Sequence, residues 1–194
     1  MNYEIIQDSS GSENEPVELE NEKIPAIEYI KNIPRPEDQL ALTLVFKGEK
    51  PAAMLNGNVF TFGVIKMLGL PFSANFETKP GALPILIAKN QETLDVLLQI
   101  EKIEDGVTHD IELGKVLGYP DTSIEAFSNG QTLRFEDVPA YVHESGILEF
   151  VTFAFSREHW KEELEILKDQ IKSAGELVPE LLEKVDWNKL EKGE

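Results

Sequence analysis

Three kinds of residue in this chain could carry chemistry, and the first sits in a turn. In the segment LGKVLGYPDTSIEAF, residues 113–127, Gly118-Tyr119-Pro120 breaks one apolar-periodic helix and Asp121, Thr122 and Ser123 open the next. Backbone N–H groups at a helix start lack partners and attract anions. The Thr122 or Ser123 hydroxyl could therefore meet a carboxylate or phosphate, with Tyr119 beside it. The competing use is capping, with Asp121 or Thr122 as N-cap and Glu125 closing a capping box. Asp121 already places a negative charge there, which favours capping. The second kind is histidine. His109-Asp110, His143-Glu144 and Glu158-His159 each pair an imidazole with an acid. Such groups are zinc or iron ligand types, and His109 and His143 with Asp110 or Glu144 are the metal candidates. Their spacing matches no ligand motif. The third kind is aromatic: Phe72 and Phe76 between Pro71 and Pro80, and Trp160 and Trp187 near the C-terminus. Exposed, they would suit a partner surface; core packing is the alternative, and is favoured for Trp160.

What is missing narrows the chemistry further. Without cysteine there is no disulfide, thiolate metal site or cysteine nucleophile. No G-x-S-x-G elbow, P-loop or G-x-G-x-x-G occurs, so no motif calls for a nucleotide or other cofactor, and none is expected. With 36 acidic and 18 basic residues the net charge is −18, and seven of the acids lie within residues 1–22. That balance opposes direct nucleic-acid binding. An acidic mimic of nucleic acid is one alternative, although solubility is the simpler use of such charge. Residues 1–22 hold no Lys or Arg, and the apolar runs are too short to span a bilayer, so a soluble cytoplasmic protein without membrane contact is expected.

The turn segment also resembles a pattern, LG-x-x-LGYP-x-Cys-Cys-x-x-x-Phe, of uncharacterised microbial proteins. Leu113, Gly114, Leu117, Gly118, Tyr119, Pro120 and Phe127 match it, and Thr122 and Ser123 stand where the cysteines would be. The paired cysteines of that pattern look like metal or redox residues. Their replacement here implies a divergent, non-catalytic relative, and the resemblance carries no known activity.

The elements that must position these residues follow from periodicity and punctuation. Residues 1–23 read as a flexible acidic arm, 24–156 as an α/β core domain and 157–194 as C-terminal helices packed on it. A short helix is predicted over Ile24–Ile30, closed by Ile33-Pro34-Arg35-Pro36. Residues 39–46, QLALTLVF, are apolar on both alternations and predict a strand covered on both faces. Residues 51–55 predict a short strand. Asn58 should cap a helix carrying Phe60, Val64, Met67 and Leu68, stopped by Gly69. A loop follows over 71–81, then a strand over 83–88 and a helix over 92–103. That alternation predicts a βαβ unit with some parallel pairing. Thr108 should cap the helix entering the turn, 109–117. Residues 147–155, ILEFVTFAF, predict a third strand. Beyond it Trp160, Leu164, Leu167, Ile171 and Ala174 form one helical stripe, Gly175 interrupts it, and Pro179 suits the first turn of a last helix.

The expected fold is α+β or α/β, a small mixed sheet covered by helices with a C-terminal helical hairpin. The expected function is a cytosolic, non-enzymatic binding or regulatory protein that recognises a protein or small-molecule ligand. The residues placed at that contact are Tyr119, Thr122, Ser123, Phe72 and Phe76. A divergent metal-dependent enzyme using His109 and His143, or an acidic nucleic-acid mimic, are the alternatives.

Overall fold

The computed structural model describes residues 24–74 and 83–193; Phe76 and the acidic arm, 1–23, lie outside them. The fold is α+β, a small sheet packed among helices and closed by a C-terminal helical hairpin. Helix α1 is Ile24–Ile30 and α2 is Pro36–Lys47. Strand β1, Ala52–Gly57, leads into α3, Val59–Leu68. Strands β2, Phe72–Ala74, and β3, Leu83–Ala88, complete a sheet in the order β1-β3-β2.

Both pairings are antiparallel, Ala52 opposite Ala88 and Phe72 opposite Ile87, so the parallel pairing expected from a βαβ unit is absent among the described strands. The reason is that the residues before β1 are not a strand. Residues 39–46 belong to α2, which is buried on nearly its whole circumference from Asp38 to Val45. A continuous apolar run has no period to separate a buried helix from a buried strand. The bracketing residues decide: Pro36 stands at the helix start, and Gly48, at φ 76°, ends it with its N–H on the carbonyls of Leu44 and Val45.

The sheet separates two cores through strict alternation of its side chains. Ala53, Leu55, Ile85 and Ile87 face the larger core, which includes α2 residues and the C-terminal helices. Ala52, Leu86 and Ala88 face the smaller one with Leu94, Leu97 and Leu117. These come from α4, Gln91–Ile100, and from the end of α5, Gly106–Val116. Asn58 caps α3 as expected, accepting from the Thr61 N–H, and Gly69 ends it; Val64 and Leu68 are buried while Phe60 and Met67 are exposed. The cap of α5 is Asp105, which accepts from the Thr108 N–H, so Thr108 is the residue capped.

Helix α6 spans Asp121–Ser128 and α7 spans Ala140–Glu144. The third predicted strand does not form. Residues 147–150 make a short 3-10 turn, and the extended chain beyond has a single bridge, Thr132 with Ser156. With β3 already paired on both sides, this β-prone segment meets no free ladder there. It satisfies its backbone by accepting the Leu133 N–H at Phe155 O, 2.7 Å, while burying Phe150, Phe153 and Phe155.

Helix α8, Trp160–Gly175, turns back through α9, Glu180–Glu183, and α10, Trp187–Lys192. Leu164, Leu167, Ile171 and Ala174 are buried as the stripe predicts, and Trp160 and Trp187 pack half-buried on the main core. Among the described residues no helix is long and apolar enough to cross a membrane.

Candidate functional site

The corner between α5 and α6 is built by Gly118. It adopts φ 67° and donates its N–H to Lys115 O, while the Tyr119 N–H returns to Gly114 O at 3.0 Å. A Cβ at Gly118 would lie 3.0 Å from Pro51 Cδ, so the corner rests directly on the segment that leads into β1. Pro120 is extended and α6 begins at Asp121 with no side-chain cap. The capping box expected from Asp121, Thr122 and Glu125 is therefore absent, because the hydroxyls are used elsewhere. Thr122 Oγ1 donates to Glu163 Oε1 of α8 at 2.6 Å, and Ser123 Oγ donates to Ala154 O at 2.6 Å. Glu163 is fully buried, and its other oxygen accepts the Ser156 N–H at 2.6 Å. One carboxylate thus ties α6, the 151–156 segment and α8 together.

Beside this joint lies a cavity of about 210 Å³. Leu113, Gly114 and Leu117 of α5, Ile124 and Phe127 of α6, and Phe153 form its apolar walls. Met54, on the smaller-core face of β1, closes one side. Tyr119, Ser123 and Thr152 contribute its hydroxyls, and Asp110 lies on the lining as an exposed carboxylate. Tyr119 packs against Phe153 with centroids 5.9 Å apart, and burial pushes its phenol up to about 12 despite the neighbouring Thr152 hydroxyl.

Behind that wall sits Lys50, only 4% exposed. Its Nζ is 4.9 Å from the Tyr119 ring centroid and donates a long bond, 3.4 Å, to Thr152 Oγ1. Among the described residues no acid pairs with it. Burial alone pulls its pKa down to about 8. Lys47, three residues earlier, meets Glu49 at 2.8 Å and Glu176 at 2.9 Å, and these partners hold its pKa above the ordinary lysine value despite partial burial.

Of the residues singled out in the sequence, Tyr119 and Ser123 line the cavity and Thr122 belongs to the Glu163 joint behind it. Phe72 lies elsewhere, in β2, edge-on to Phe62 at 5.0 Å and packed on the larger core. His109 engages Asp110 at 3.0 Å and Glu101 at 3.6 Å, and these acids raise its pKa. His143 meets Phe135 edge to face, 4.3 Å between centroids, with Nε2 2.9 Å from Phe135 O. The two histidines thus serve different local contacts. Among the described residues no group of three or more His, Asp or Glu side chains is placed to hold a metal ion.

Lys50, Glu163 and Thr152 are among the site residues that sequence reasoning passed over. Lys50 gives no signal, since a lysine after Gly-Glu reads as a solvated turn residue. Glu163 does give one. It falls on the stripe of Trp160, Leu164 and Leu167, where a carboxylate interrupts an otherwise apolar helix face. No family model, curated protein or solved structure matches the chain.

Proposed function

We propose that this chain is a non-enzymatic binding protein of the cytosol whose ligand is a small, largely apolar molecule seated at the α5–α6 corner. The observation that carries this reading is the cavity itself. It is concave and mostly apolar, with a few hydroxyls on one side, which is the usual composition of a small-ligand site. At about 210 Å³ it is smaller than the roughly 300–1,000 Å³ of drug-sized sites, so the ligand is about the size of one ring. The hydroxyls are arranged for recognition. Ser123 gives its proton to Ala154 O, leaving its oxygen as an acceptor.

The excess of acid over base supports partners other than nucleic acid.

Benzyl alcohol is a suitable neutral probe. Titrated into the protein, it should shift the NMR resonances of Tyr119, Ile124 and Phe153 together and saturably. Ala154→Leu, which fills the lining, should fold normally and lose that response. Absence of any saturable shift at the corner in the wild-type protein would overturn the reading.

A further inference from the structure

We propose that the corner cavity selects a small apolar monocarboxylate, its carboxylate set against the Tyr119 and Thr152 hydroxyls and balanced by the Lys50 ammonium behind them. This rests on the reading that the cavity binds a ligand, and it adds the ligand's charge.

The argument is one of charge balance. An ammonium removed from water carries a desolvation penalty of several kcal/mol unless an opposite charge or a full set of hydrogen bonds meets it. Lys50 has one long hydrogen bond and one aromatic face. Acids are not scarce in this chain, which holds two for every base. Lys31, Lys115 and Lys189 all lie within 4 Å of one. The single buried ammonium without an acid among the described residues is the one beside the cavity.

The neutral donors between it and the cavity are of the right kind. Thr152 accepts from Lys50 Nζ and neighbours the Tyr119 oxygen, so its rotatable proton can turn from the phenol to a ligand. The Tyr119 phenol, whose raised pKa keeps it protonated, can donate as well. A carboxylate placed against both would convert them into charge-assisted bonds. Among the described residues the ionised group on the lining itself is Asp110. It is exposed to solvent and meets His109 Nδ1 at 3.0 Å. Size agrees too: a cavity near 150 Å³ admits benzene, so about 210 Å³ accommodates a ring with one carboxylate.

The test compares sodium benzoate with benzyl alcohol, at constant ionic strength, by NMR titration and calorimetry. Benzoate should bind about tenfold or more tightly, as one charge-assisted contact implies. In Lys50→Met the ratio of benzoate to benzyl alcohol affinity should fall to about one. Equal or weaker binding of benzoate in the wild-type protein overturns the charge assignment but leaves the cavity as a site. A benzoate preference that survives Lys50→Met overturns the role of Lys50. If neither compound moves the corner resonances, the binding reading fails as well. The wild-type comparison needs no variant, so it stands even if Lys50→Met folds poorly.

Discussion

At the scale of single residues, the two buried charges near the corner behave in opposite ways. Glu163 is fully provided for, accepting from the Thr122 hydroxyl and the Ser156 amide. Glu163→Ala would leave the buried Ser156 amide and the half-buried Thr122 hydroxyl without partners and should cost about 3 kcal/mol, read as a lower urea midpoint. Lys50 is not provided for, and its removal should stabilise. A fall in pKa from 10.5 to about 8 is a penalty of about 3 kcal/mol on the charged form. Lys50→Met should recover part of it at pH 7, less the cation–π contribution it gives up. The sign with pH follows. A base whose folded pKa is depressed binds its proton less tightly when folded, so wild-type stability rises relative to the variant as pH climbs from about 8 towards 10.5. Urea melts of both proteins at pH 7 and pH 10 measure it, and a constant difference would refute the assignment. A buried charge that weakens the fold beside a cavity is the pattern of a functional site.

At the scale of elements, the corner is where sequence reading succeeded in outline and failed in detail. Gly118 and Pro120 announce the break correctly, since only the positive φ and the missing N–H explain them together. Gly118→Ala should therefore cost roughly 1–2 kcal/mol through its φ of 67°, with added crowding against Pro51, and lower the thermal midpoint. The hydroxyls of Thr122 and Ser123 were legible as polar groups at a helix start but not as tertiary ties, because their partners lie more than thirty residues away. Thr122→Val separates the two uses. A lost cap would fray α6 alone, whereas a lost tie to Glu163 should cost about 1–3 kcal/mol of global stability with the amide signals of α6 intact. The same locality explains the misread strands. Residues 39–46 are apolar on both alternations and 147–155 are rich in β-branched and aromatic residues, so both read as strands. The first is flanked by Pro36 and Gly48, which make a helix of it, and the second makes a single bridge, Thr132 with Ser156, in place of a ladder. Helices α3 and α8, with a clear period and punctuation, were legible almost to the residue.

At the scale of the whole molecule, two cores share one small sheet, and the acidic excess is spread over a chain of net charge −18. Self-repulsion of that size is screened by salt, so the thermal midpoint should rise between 10 mM and 0.5 M sodium chloride. A flat or falling midpoint would mean that the ion pairs outweigh the repulsion. The tie through Glu163 has a kinetic consequence at this scale. The 151–156 segment, which lines the cavity, is tied to α8 by the Ser156 amide and to α6 by the Ser123 hydroxyl, so it cannot swing aside without breaking its bonds to both helices. The Ser156 amide should accordingly exchange with deuterium only as slowly as α8 itself opens. A ligand would then meet a chamber already assembled. Its observed association rate should climb in direct proportion to concentration, with none of the plateau that a gate or closing lid imposes.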